Sequence, residues 1–183
     1  MYLFLDTETG GLDAKVYSLL SVACIAVNDD MTIHSKFSGY VDCNNIYTVD
    51  PMALKINGID LAKHSEIVQD NGDIRRAFVS WIDALYEING NRPLTIVGWN
   101  IKFDLAFILE QFVEADWWNN RISYHSLDAM SVAQFLIIQK RIPAGSLRLV
   151  KVAERFGFDV KGAHDCTVDV QLTYDVFKKM LES

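Results

Sequence analysis

The stretch from Leu19 to Val27 constrains this chain most. It is rich in Val, Ile, Leu and Ala and reads as a central strand. Tyr2 to Leu5 is a short apolar run that fits a buried strand, and Gly10-Gly11 releases the chain after it into a turn. Beyond a hairpin-type turn at Asn28-Asp29-Asp30, Met31 to Val41 resumes with Thr32, Ile33, Phe37 and Tyr40. The alternation of this third segment is imperfect, which marks an edge strand. The three segments predict an antiparallel meander.

Downstream the hydrophobic period lengthens. Asp50-Pro51 opens a short helix, with an acid as N-cap and proline at the first position, and Asn57-Gly58 ends it. Residues 59–72 are polar and irregular and read as a surface loop. Ile74, Ala77, Phe78, Trp81, Ile82 and Leu85 then recur at helical spacing, up to Asn89-Gly90-Asn91. Leu94 to Gly98 is a short buried strand, so the helix before it forms the crossover of a parallel pair. Phe103 to Val113 reads as a helix with Phe103, Ala106, Phe107, Leu109 and Phe112 facing inward. Trp117-Trp118 fits a core or a partner contact equally well. Ile122 to Leu127 reads as a strand, and a helix to Ile138 is capped by Ser126 or Asp128. Ser146 caps a helix that stops at Gly157, and the last helix runs from Asp165 to Leu181. Strands first, then alternating helices and strands, predict one α/β domain over residues 1–183 with a mixed central sheet.

Composition narrows the function classes. The net charge of −7, from 24 acids against 17 bases, excludes non-specific nucleic-acid binding through a general basic surface. It leaves a nuclease open, because metals cancel clustered carboxylates. Cys24, Cys43 and Cys166 are odd in number and form no Cys-x-x-Cys pair. A reducing, cytoplasmic setting fits them better than a disulfide framework, with Cys24 as a small core residue. No basic n-region with a cleavage site precedes the first strand, and no apolar stretch reaches membrane-spanning length.

The acids carry the chemistry. Asp6 and Glu8 close the first strand two residues apart, so their side chains leave one face while Thr7 and Thr9 leave the other. Two readings are open for the pair: solvent-facing acids at a strand end, or oxygen ligands for a divalent cation. Asp104 follows the buried strand 94–98 in a first helical turn, where ligands collect in open α/β sheets. Asn100 stands four residues earlier and is placed to hold that loop. Asp128 also begins a helix, and both acids fit the helix dipole as well. Asp169 lies within the last helix, five residues after His164.

Taken in order, these segments resemble the DEDD superfamily of 3'-to-5' exonucleases, in the branch that contains proofreading exonuclease domains. Asp6-Thr-Glu8-Thr-Gly10 resembles its Asp-x-Glu motif, and Gly98-Trp-Asn100-Ile-Lys-Phe103-Asp104 its second. His164-Asp-Cys-Thr-Val-Asp169 resembles the third, His-x-x-x-x-Asp, whose histidine marks the DEDDh branch. Ser126-Leu-Asp128 resembles a supporting segment outside the ligand set. Gly11 and Trp99 depart from the common pattern, where Thr-Gly and His are frequent.

The resemblance implies a ribonuclease H-like fold. It also implies two divalent cations, Mg²⁺ or Mn²⁺, held by Asp6, Glu8, Asp104 and Asp169, with Asp6 bridging and His164 as general base. The substrate implied is a 3' end of single-stranded DNA or RNA, cut to nucleoside 5'-monophosphates. Thr7 and Thr9 would grip the terminal nucleotide. Asn100 would bind substrate, Trp99 and Phe103 would either stack on bases or close the core, with the core favoured for Phe103, and the Ile56–Ile59 segment with Gly58 would pack on the terminal sugar and base. Lys140-Arg141 and Arg148, Lys151 and Arg155 are either phosphate contacts or solvated helix faces. A polymerase partner or a homodimer is compatible, and no membrane partner is expected. Two competing functions stay open: a structure-specific endonuclease of related fold, and a non-catalytic nucleic-acid-binding or polymerase-associated subunit.

Overall fold

The structure, a computed structural model, describes residues 1–43 and 47–183. Its centre is a five-stranded sheet in the order β3-β2-β1-β4-β5. Strand β1 (Tyr2–Thr9) runs antiparallel to β2 (Leu19–Val27), which in turn pairs antiparallel with β3 (Ile33–Tyr40). On its other side β1 runs parallel to β4 (Leu94–Gly98), and β4 parallel to β5 (Ile122–Asp128). The meander, the edge position of β3 and the parallel crossover therefore follow the sequence pattern. All nine residues of β2 are buried. A strand with no exposed position requires cover on both faces.

Two cores supply that cover. Leu3, Leu5, Val22 and Ile96 face Ile74, Phe78 and Ile82 of α3 (Asn71–Ile88), with Phe107, Phe112 and Trp118. Phe4, Ile25 and Val97 face the other layer. That layer comprises α6 (Ala129–Ile138), α7 (Leu149–Arg155) and α8 (Cys166–Leu181). The Phe4 ring meets Tyr174 and Phe177 of α8 edge-on at 5.5 and 5.6 Å. Side-chain alternation along β1 thus assigns its even-numbered residues to the α8 face and its odd-numbered ones to the α3 face.

Three local readings are corrected, and the open one on Trp117-Trp118 is settled in favour of the core. The segment 59–72 is not a loop. Asp60 caps α2 (Leu61–Ile67) by accepting from the Ala62 amide, and α3 already starts at Asn71 under the Asp70 cap. Helix α2 buries little apolar surface and so leaves no periodic signal. It is tied down by His64, which is buried with Nε2 2.9 Å from the Val41 carbonyl. Second, the helix over 103–113 is α4 (Lys102–Phe107) running into a π-helical turn at Ile108–Phe112, closed by the Val113 amide on the Ile108 carbonyl. The wider turn rotates the face. Ile108 is buried in place of Leu109, and Ala106 faces out. Trp117 and Trp118 sit on α5 (Ala115–Arg121); Trp118 is buried, while Trp117 packs on the core and donates to Asp83. Third, α7 opens at Arg148 rather than Ser146, whose hydroxyl accepts from the Arg148 amide at 3.3 Å. The start α1 (Pro51–Asn57) after Asp50, its left-handed Gly58 stop, and the Asp128 and Asp165 caps are as expected.

Candidate active site

Asp6 and Glu8 continue the face of β1 that Phe4 presents to α8. Asp169 enters from the first turn of α8, which Asp165 caps by accepting from the Thr167 amide at 2.8 Å. The result is a cluster in which one carboxylate oxygen from each of Asp6, Glu8 and Asp169 lies within 4.8 Å of the others. Asp104 is outside this set and comes from the opposite face. It is 4% exposed in the first turn of α4, and its Oδ1 accepts from the Thr7 amide at 2.9 Å and the Thr7 hydroxyl at 2.7 Å. The end of β4 brings it there by packing hard on β1: a Cβ on Gly98 would come 2.9 Å from the Leu5 carbonyl oxygen.

Burial raises the pKa of all four acids, and repulsion from neighbouring carboxylates adds to this at Asp6, Glu8 and Asp169. Burial holds the Asp6 carboxyl well above the usual range, helped by the charges of Asp104, Asp169 and Glu8. Burial, then Asp169, pushes Glu8 up to about 8. Asp104 is pushed up to about 7 by burial, against the two bonds from Thr7. Asp169 is raised by burial, although the His164 amide donates to its Oδ2 at 3.2 Å. Its Oδ1 is buried and has no hydrogen-bond partner among the described residues.

His164 stands at the rim. Its backbone takes the left-handed conformation, φ 72, which a non-glycine residue adopts only where the surroundings fix it. The imidazole is exposed and borders two cavities. One, of about 430 Å³, is lined by Glu8, Asn57, Gly58, Ile59 and Lys63 among others. The second, of about 610 Å³, includes Trp99, Asn100, Arg148, Lys151 and Asp169.

The remaining sequence candidates divide by what their polar groups already do. The Thr9 hydroxyl donates to the Gly11 carbonyl at 2.8 Å. Asn100, at φ 60, acts through its backbone: its amide donates to Asp128 Oδ1, and its carbonyl accepts from Phe103. Asp128 is thus a support for the loop before Asp104. Phe103 packs into the core against Phe107, 5.2 Å between rings. Trp99 is anchored by its indole N–H on the Leu147 carbonyl at 2.9 Å, at the cavity wall.

The exonuclease family model RNase_T matches residues 3–177. The chain belongs to this exonuclease family. With its histidine, it is a DEDDh-type 3'-to-5' exonuclease. Ribonuclease T of Actinobacillus pleuropneumoniae serotype 5b (strain L20) is 28% identical over 193 residues, covering 98% of this chain and 82% of the relative. Ribonuclease T of Escherichia coli (strain K12) is 26% identical over 194 residues, covering 94% and 80%. Among solved structures, E. coli exonuclease I in complex with a dT13 oligonucleotide superposes with a TM-score of 0.80 at 20% identity. That match covers 98% of this chain but spans only 40% of the exonuclease I chain, and it supports the ribonuclease H-like fold.

The acid cluster of this exonuclease fits the divalent cations its family uses. Three oxygens converge, one buried oxygen lacks a partner, and no Lys or Arg pairs with any of the four acids among the described residues. A cation is the charge that such a site lacks. The sequence reading passed over the side chain of Asn57, whose Nδ2 donates to the Thr9 carbonyl and whose Oδ1 accepts from the Ile59 amide. It laces the α1 end to β1 beside Glu8. An asparagine before glycine at a helix end signals only a stop, so nothing local marks this role.

Proposed function

We infer that residues 1–183 act as one exonuclease domain that removes nucleoside 5'-monophosphates from the 3' end of single-stranded DNA or RNA. The observation that carries this reading is the convergence of Asp6, Glu8 and Asp169 around the unpartnered buried oxygen of Asp169. Asp6, Glu8, Asp104 and Asp169 would hold two Mg²⁺ or Mn²⁺ ions. Such ions, when bound, activate water and offset charge on the phosphodiester. His164 takes the proton of the attacking water, for which an exposed imidazole at the rim is suited. The water oxygen bonds to phosphorus, the bond to the 3' oxygen of the penultimate nucleotide breaks, and that oxygen takes a proton from solvent. The hydroxyls of Thr7 and Thr9 are spent inside the fold, so Gly58 with Asn57 and Ile59, which line the cavity beside Glu8, border the terminal nucleotide instead. Trp99 offers a face for stacking, and Asn100 and Phe103 shape the loop behind it.

The cavity beside Trp99 also bears on the basic residues. Arg155 is spent on the Ser146 carbonyl at 2.5 Å and Lys151 pairs with Glu154 at 2.8 Å. Arg148 has no ion pair among the described residues and lines the cavity with His164, so it is the phosphate contact of that trio. We place the protein in the cytoplasm, acting alone, as a homodimer or with a polymerase; no helix of the described residues is long and apolar enough to cross a membrane.

The test is end-labelled single-stranded DNA and RNA, linear and circular, with Mg²⁺ or Mn²⁺. Mononucleotides released from linear strands, with circles intact, are expected. Cut circles would favour an endonuclease, and tight binding without cleavage under either metal a non-catalytic subunit. His164→Asn keeps a residue that tolerates the left-handed backbone but cannot act as base. It should lose roughly 10²–10⁴-fold in rate.

A further inference from the structure

We propose that Thr7, the residue between the two acids of β1, is a positioning residue that fixes the Asp104 carboxylate for the metal-holding site. This rests on the reading of that site given above. Thr7 projects from the face of β1 opposite Asp6 and Glu8, so it cannot reach the reacting atoms beside them. What it reaches is Asp104. Its amide and hydroxyl both end on the same oxygen, Oδ1, at 2.9 and 2.7 Å, and Thr7 is itself buried. A carboxylate oxygen has two lone pairs, and both are taken. The rotation of the carboxylate is thereby set, and Oδ2 is left as the oxygen available to the site.

Among the described residues, Thr7 is the one residue of another element that bonds to this carboxylate. Ile101, the N-cap of α4, provides no side-chain cap, so that helix end adds no side-chain bond beside the carboxylate. The hydroxyl has a single proton, and Asp104 uses it; the same group cannot also donate to a nucleotide. The backbone half of the clamp is independent of side-chain type, but the hydroxyl half requires Thr or Ser. The spacing Asp-Thr-Glu therefore does two jobs on one strand. Its even positions supply ligands, and its odd position orients a ligand delivered by another element.

Thr7→Val keeps the β-branched shape and removes the hydroxyl; Thr7→Ser keeps the hydroxyl and removes the methyl. For Thr7→Val, kcat should fall roughly 10- to 100-fold and the Mn²⁺ affinity measured by calorimetry about 10-fold, while KM stays within about twofold. Thr7→Ser should stay within about threefold of the parent in kcat and in Mn²⁺ affinity. If Thr7→Val does not fold, Thr7→Ala makes no steric demand and carries the same expectation. Parental kcat and Mn²⁺ affinity in a folded variant without the hydroxyl would overturn the proposal, as would equal damage in Thr7→Ser. A parent protein that releases no nucleotide overturns the exonuclease reading instead, and the calorimetric arm still reports on Thr7.

Discussion

Two polar clusters lie beneath the surface of this chain, and they are built on opposite terms. The first centres on Gln111 in the π-helical turn. Its Oε1 accepts from the Leu19 amide at 2.8 Å, and its Nε2 donates to the carbonyls of Ala14 and Tyr17 at 2.5 and 2.7 Å. Arg75 donates to its backbone carbonyl. Every polar atom of that carboxamide is in use, and the loop after Gly11 is pinned by it. The second cluster is the acids. Their pKa values are pushed up, three of them converge within 4.8 Å, and a buried oxygen of Asp169 has no partner among the described residues. A fold closes most of the polar groups it uses as structure, and here the carboxamide is closed although Arg75 Nε beside it is buried without a partner among the described residues. A cluster left open and self-repelling is held for something that binds there.

The contrast predicts opposite signs for similar substitutions. Asp6→Asn should abolish nucleotide release, by on the order of 10³-fold or more, since several kcal/mol of charge stabilisation depend on that carboxylate. In metal-free protein at pH 8 the same variant should melt at or above the parent temperature, because one repelling charge is gone. A variant that keeps its activity, or that melts well below the parent without metal, would break the comparison. Gln111→Leu should do the reverse. It strands one amide and two carbonyls, at a cost of about 3 kcal/mol in urea unfolding, while turnover per folded molecule is kept.

This difference also decides what could be read from residue order. Asp6 and Glu8 were visible as a pair because a strand end fixes their spacing. Asp104 was visible because it follows a buried strand at a boundary, and Asp169 because it lies in the last helix five residues after His164, in the spacing of the third motif. The sheet was legible for the same reason: β2 is apolar throughout, and Asp50, Asp128 and Asp165 cap their helices as their type suggests. The Gln111 clasp was not legible, since its partners are backbone groups 92 to 97 residues away and carry no side-chain signature. Nor was the π-helical turn, whose extra residue rotates Ile108 inward without altering the local composition. The clamp on Asp104 was hidden in the same way: Thr7 reads as a strand residue, and only the packing of β4 on β1 shows what it meets.

A third test uses pH. The folded-state pKa values of Glu8 and Asp104, about 8 and about 7, lie above the value near 4 of an unfolded carboxylate. The fold therefore binds more protons than the unfolded chain between these limits. Its contribution is fully present below about pH 4 and is lost as pH rises through the folded values, so metal-free stability should fall from about pH 4 to about pH 8. Mn²⁺ binds the deprotonated acids and should raise the melting temperature more at pH 8 than at pH 5. A flat metal-free profile, or a larger Mn²⁺ effect at pH 5, would place the protons elsewhere. Gln111→Leu should shift the whole profile down without changing its slope.

The smallest effect belongs to neither cluster but to the surface between the acids and the solvent. A site this acidic repels a strand of phosphates, so the strand's hold must come from outside the acid set. Arg148 lines the Trp99 cavity with His164 and Asp169 and has no ion pair among the described residues. Arg148→Ala should raise KM by roughly three- to tenfold with kcat nearly kept, and lower the slope of log affinity against log salt by about 0.7 for one lost phosphate contact on a single strand. Lys151 and Arg155, occupied by Glu154 and by backbone carbonyls, should change the salt slope little when replaced by Ala. An unchanged slope for Arg148→Ala beside a reduced one for Lys151→Ala would move the strand's path along α7, away from the cavity that Trp99 and His164 share.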